Sequence, residues 1–127
     1  MTEKALENNF TAWCREREIV PIKGPVTTTK GFPDRFLQLP NGGGTIYVEF
    51  KGTSYYSLTP LQAWWREYLK ASNPNRYFLV EDKQDLERLK MRCLSFIAIG
   101  EALVKYETDL LLRHEQELLN NVKNNYT

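Results

Sequence analysis

The side chains in the first half of the chain with the types and spacing to do chemistry together are Asp34, Glu49 and Lys51. On a β-strand successive side chains point to opposite faces. In the run Tyr47-Val48-Glu49-Phe50-Lys51, Glu49 and Lys51 therefore share one face, while Val48 and Phe50 turn the other way, toward a core. An acid and a base side by side on an otherwise apolar strand require a chemical reason. Upstream, Gly31-Phe32-Pro33-Asp34-Arg35 opens a short apolar run to Leu39, and Pro40-Asn41-Gly42-Gly43-Gly44 turns the chain back on itself. Hairpin pairing then brings Asp34 to the same edge. Two converging carboxylates make an oxygen-rich site suited to a hard divalent cation such as Mg²⁺. A lysine beside them can orient or help deprotonate a water, or stabilise a phosphoryl oxygen.

These residues carry a family resemblance. Asp34 followed by Glu49-Phe50-Lys51 resembles the PD-(D/E)xK nuclease signature, with Pro33-Asp34 supplying its first pair. More narrowly, Gly31-x-Pro33-Asp34-Arg35, the strand over residues 46–51 and Ser57-Leu58-Thr59-Pro60-Leu61-Gln62 resemble the virus-type replication-repair nuclease (VRR-NUC) domain over roughly residues 3–90. An isolated Glu-x-Lys occurs by chance in many chains, whereas this ordered set is far more specific. The resemblance implies a Mg²⁺- or Mn²⁺-dependent deoxyribonuclease. Asp34, Glu49 and the Phe50 backbone carbonyl would be metal ligands, with Lys51 and Gln62 completing the catalytic set. It further implies an acidic residue on the first helix that joins the metal site. Glu3 and Glu7 both match by spacing, and Glu7 is preferred because a full helical turn precedes it.

VRR-NUC proteins consisting of little more than this domain are often homodimers that cut branched DNA such as four-way (Holliday) junctions. Members embedded in larger proteins act as monomers on flaps. Small size and an apolar tail favour the dimeric, phage-like type. The competing readings are a non-catalytic DNA-binding or interaction module on the same fold, and a metal-free scaffold. The intact Asp, Glu and Lys set argues against the first, since a binder gains little from carboxylates that repel phosphate; the second would show neither a metal effect nor DNA affinity.

The elements that must position these groups follow from periodicity. Residues 2–18 read as an amphipathic helix, with Leu6, Phe10 and Trp13 at helical spacing and Thr2 as N-cap. Ile19-Val20-Pro21-Ile22 is an edge strand at best, because proline cannot donate to a sheet ladder. Residues 23–30 form a loop whose Lys23 and Lys30 suit phosphate contacts. Residues 32–39 and 45–51 are the arms of a hairpin, with Asn41-Gly42-Gly43-Gly44 supplying positive-φ residues. Arg35 is a further candidate DNA contact, and Tyr55 and Tyr56 in the next loop are placed to stack on a base or sugar. Thr59, Pro60 and Gln62 make a capping box for a helix whose Leu61, Trp64, Trp65, Tyr68 and Leu69 read as a core-facing surface. Asn73-Pro74-Asn75 stops that helix. Residues 77–80 are a short strand, and Asp82 caps a helix over 83–92 with Leu86 and Leu89 inward. The order predicts an α/β fold: a small mixed β-sheet flanked by helices.

Residues 1–92 read as the nuclease-like core. Residues 93–127 read as a helical extension, with an apolar patch at 96–100 and a helix over 101–124 that wraps the core or builds a dimer interface. His114, the only histidine, sits among Arg113, Glu115 and Glu117, which argues against a histidine-based nuclease.

Composition bounds the rest. A chain of 127 residues with 42% hydrophobic and 26% charged residues is long enough for one core and ordinary for a globular domain. A net charge of +1 gives no global field for nucleic acid, so DNA contacts must be local. Cys14 and Cys93 form no metal-ligand pattern and point to a reduced, cytoplasmic setting, in a bacterium or a phage-infected cell. No apolar segment is long enough to cross a membrane, no secretory signal is expected, and no organic cofactor is implied.

Overall fold

The computed structural model describes residues 1–24, 31–52 and 58–125. The chain runs through helix α1 (Glu3–Arg15), strands β1 (Val20–Lys23), β2 (Arg35–Leu39) and β3 (Gly44–Phe50), helix α2 (Pro60–Ser72), strand β4 (Tyr77–Val80) and helix α3 (Lys83–Asn125). The four strands form one sheet in the order β1-β2-β3-β4. β1, β2 and β3 pair antiparallel, whereas β3 and β4 are parallel, with α2 making the crossover between them. The fold is thus mixed α/β. Pro21 lies on the edge strand, where its missing N–H is tolerated. Asn41 and Gly42 take the left-handed conformation that the β2–β3 turn requires.

Alternation along the strands separates two faces. Leu37, Leu39, Ile46, Val48 and Phe50 join Leu6, Phe10 and Cys14 of α1 and Leu86, Leu89 and Cys93 of α3 in the core. The residues between them on β3, Tyr47 and Glu49, turn toward α2, where Glu49 meets Gln62 and Tyr47 meets Phe32. Glu49 is therefore a buried acid, 2% exposed, on the sheet face away from the main core. The capping predictions agree with the structure at all three helix starts. Thr2 accepts from the Ala5 amide at 3.0 Å, Thr59 from Gln62 at 3.2 Å, and Asp82 from Asp85 at 2.8 Å.

The C-terminal third differs from the sequence reading. No break follows residue 92: α3 is one helix of 43 residues, so the expected boundary between 92 and 93 falls inside it. The apolar patch at 96–100 is where the helix crosses the hairpin turn. Phe96 and Ile97 pack on the core, and the Arg76 guanidinium lies 3.6 Å over the Phe96 ring while donating to the Gly43 carbonyl. The extension thus packs on the core through residues 93–100, whereas beyond residue 100 every described residue is exposed. The sheet is too short to reach that far, and the helix runs on past it.

Gly100 makes that crossing possible. A Cβ at this position would meet the Gly42 carbonyl carbon at 2.6 Å and the Gly43 nitrogen at 2.7 Å, both backbone. Helix propensity alone would make Gly100→Ala stabilising by about 1 kcal/mol. Close packing reverses the sign: we expect a net loss of about 1–3 kcal/mol, read by urea denaturation. A more stable variant would mean that the helix does not sit on the turn.

Candidate active site

Asp34 and Glu49 are brought together by the hairpin, each held by the other's strand. The Phe50 amide donates to Asp34 Oδ2 at 2.8 Å, and the Asp34 amide donates to Glu49 Oε2 at 3.2 Å. The backbone of Asp34 is itself pinned, because its carbonyl accepts from the Gly24 amide at 2.8 Å. Lys51 Nζ stands 4.0 Å from Glu49 Oε1, and both side chains are largely buried. The predicted trio thus lies on one side of the sheet, at the C-terminal end of β3.

Two helices present their first turns to this point. Gln62 of α2 does two things with one side-chain amide. Its Oε1 accepts from the Thr59 amide at 2.9 Å, closing the capping box, and its Nε2 donates to Glu49 Oε1 at 2.8 Å. Gly31, three residues before Asp34, lets the incoming loop lie against this helix start. It has φ +82°, and a Cβ there would meet Leu61 Cβ at 2.6 Å and the Gln62 nitrogen at 2.9 Å. On the other side, a Cβ on Gly52 would lie 3.2 Å from the Glu3 nitrogen, so the first turn of α1 abuts the chain just after Lys51.

The electrostatics are those of an under-compensated acidic pair. Burial raises Glu49, and the Asp34 charge raises it further; Lys51 only partly opposes them, and the carboxyl is pushed up to about 8. Burial also raises Asp34, against the Phe50 amide, with Glu3 and Glu7 adding like charge. One lysine does not neutralise two buried carboxylates, and a divalent cation between them would. The oxygen donors fit a hard metal on that ground. Among the described residues, however, no group of three or more His, Cys, Asp or Glu is assembled to hold a metal ion.

The preference for Glu7 as a third ligand needs correction. Its Oε1 is in an ion pair with Arg35 Nε at 2.8 Å. Arg35, expected to face DNA, is instead 19% exposed and also donates to the Pro21 carbonyl at 3.3 Å. Strand alternation explains both: Arg35 shares a face with Leu37, beneath α1, where it meets Glu7. Glu3 carries no such partner among the described ion pairs, and its charge acts on both Asp34 and Glu49. Lys23 is exposed at the end of the edge strand. Lys30, Tyr55 and Tyr56 lie outside the described residues.

The reading of Leu61, Trp64, Trp65, Tyr68 and Leu69 as one core-facing surface also needs correction. Leu69 is its buried residue, whereas Trp64 is 56% and Tyr68 52% exposed. The signal was present in the sequence: apolar residues at 61, 64, 65, 68 and 69 cover a wider arc than one sheet face can bury.

Compared with known proteins, the chain matches no protein-family model and no curated sequence. Among the described residues, no helix is long and apolar enough to cross a membrane.

The double duty of Gln62 is separable by mutation. Thr59→Ala removes the hydroxyl cap alone and should cost about 0.5–2 kcal/mol of stability while leaving any chemistry at Glu49 intact. Gln62→Ala removes the reciprocal cap and the Glu49 contact together. Equal losses of activity in the two variants, measured beside their thermal melts, would reduce Gln62 to a cap.

Proposed function

We propose that this protein is a Mg²⁺- or Mn²⁺-dependent deoxyribonuclease that hydrolyses phosphodiester bonds in branched DNA such as four-way junctions. The observation that carries the reading is the interlocked Asp34–Glu49 pair with Lys51 and Gln62 on the same Glu49 oxygen. The ordered resemblance to VRR-NUC domains supports it, and the PD-(D/E)xK core would be the finer description of the sheet. Asp34, Glu49 and the Phe50 carbonyl would hold the metal, with Glu3 better placed than Glu7 to complete the set. The bound metal would lower the pKa of a water and offset charge building on the phosphate. Lys51 then orients the attacking water or a phosphoryl oxygen. Gln62, held by its cap, keeps Glu49 turned into the site.

We also propose a homodimer. Residues 101–125 form about 37 Å of helix with Leu103, Leu110, Leu111, Leu118 and Leu119 exposed. These apolar side chains have no cover within the chain, and a second copy supplies the missing apolar face. Two sites related by a two-fold axis suit a symmetric junction.

Incubating the protein with a synthetic four-way junction, beside linear duplex of the same sequence, tests the activity in Mg²⁺ and in Mn²⁺. Metal-dependent strand cleavage, favouring the junction, is expected. Intact substrates under both metals would overturn the nuclease reading. A monomer mass by light scattering would remove the dimer.

A further inference from the structure

An aromatic column climbs from the sheet to the surface beside the acidic pair. Phe32 lies edge-on to Tyr47 at 6.0 Å and to Trp65 at 5.1 Å. Trp65 in turn meets Trp64 at 5.1 Å and Tyr68 at 5.8 Å, both nearly perpendicular. On top, Trp64 and Tyr68 stack on each other with centroids 5.3 Å apart and planes 7° from parallel. Both rings are more than half exposed. The column therefore ends in two parallel rings propped from below by a buried-side indole, a surface whose order precedes any ligand.

Its roots are the same two segments that build the site. Phe32 is two residues before Asp34, and Trp64 is two residues after Gln62. Anything seated on the rings is thus tied to the carboxylates through a short loop and one turn of helix.

We propose that the Trp64–Tyr68 stack is a nucleobase platform, on which an unpaired or terminal base continues the ring stack and lays its strand toward Asp34 and Glu49. The size of the patch selects a base over a protein partner. A fully buried aromatic covers roughly 150–250 Å², so the exposed halves of two rings offer about 250 Å². A stable protein interface needs about 800 Å² per partner. Of the neighbouring positions on α2, Ala63, Glu67 and Ala71 are exposed and small or charged, and Leu61, one turn before Trp64, adds only one half-exposed aliphatic side chain, so the patch stays far below interface size. Such a patch matches one base. Because the rings are already stacked, little side-chain freedom is lost on binding. Only a base outside a continuous duplex can reach the patch, which narrows the substrate to DNA with unpaired or end bases near the cut. The orientation toward the carboxylates rests on the nuclease reading; the stacking itself does not.

The test is binding by fluorescence anisotropy of the full chain in EDTA, where no metal-dependent cleavage occurs. The probes are a labelled duplex with a short unpaired segment and the same duplex with abasic sites in that segment. Wild type should bind the base-containing probe about tenfold more tightly. The Trp64→Ala/Tyr68→Ala variant, shown folded by circular dichroism, should bind both probes equally, and Trp64→Phe should keep most of the preference. Equal binding of the two probes by wild type overturns the platform, and needs no variant to fold. Persistence of the preference in the double variant also overturns it. So does a fall in sedimenting mass on mutation without any base preference, which would assign the rings to contact between copies. A protein that discriminates the probes yet cleaves nothing in Mg²⁺ or Mn²⁺ keeps the platform and loses the nuclease. One that cleaves DNA but ignores abasic sites does the reverse.

Discussion

Glu49→Gln should lose DNA hydrolysis by on the order of 10³-fold and yet melt at a higher temperature than wild type at pH 8. The two effects have one cause. Glu49 is a buried acid facing Asp34, with Lys51 at 4.0 Å as its ion-pair partner. The neutral amide is nearly the same shape. Its carbonyl oxygen can still accept from the Asp34 amide, the contact that locks the hairpin, while its amide nitrogen takes the place of Oε1 and gives up the Gln62 donor; removing a buried like charge beside Asp34 outweighs that loss. What disappears is the anionic oxygen a metal would bind. An acid held mainly by its ion pair would give the opposite pattern, because loss of the Lys51 attraction would then outweigh relief of the Asp34 repulsion. Hydrolysis of a four-way junction and a thermal melt, run on one preparation, check both halves. Residual activity within tenfold of wild type would remove Glu49 from the chemistry.

The second large effect concerns pH and metal together. Glu49 is raised from an ordinary 4.5 to about 8 in the folded chain, and Asp34 is raised as well. Between these limits the folded protein holds more protons than the unfolded one, so stability falls as pH rises. We expect the melting temperature to decline from about pH 5 to about pH 8 and then level. A divalent cation relieves the same repulsion and competes with the same proton. Mn²⁺ at about a hundred times its dissociation constant contributes roughly 2.7 kcal/mol, which is on the order of 10 °C for a domain of this size. The gain should be clearly larger at pH 8 than at pH 5. Differential scanning fluorimetry with and without Mn²⁺ at the two pH values makes the comparison. No shift at pH 8, or a larger one at pH 5, would show that the carboxylates do not share a cation.

Local interactions were legible in the sequence because they depend on near neighbours. The caps at Thr2, Thr59 and Asp82, the hairpin turn at Asn41 and the inward period of Leu86 and Leu89 all appear as read. The pairing of Asp34 with Glu49 was legible for a related reason: a short turn fixes strand register, and register fixes the face. The sequence alone therefore determined the element order, the mixed sheet and the identity of the acidic pair with its lysine. Only the tertiary structure decided how surfaces at a distance share their neighbours. Arg35 could not be assigned to Glu7 until α1 was laid over β2, since nothing local distinguishes a guanidinium bound for DNA from one bound for a helix. Trp64 and Tyr68 read as core because apolar character reports a preference for burial, not the presence of something to be buried against. The unbroken run of α3 past Gly100 has the same origin: helical periodicity persists wherever the backbone bonds allow, whereas the core ends where the sheet does.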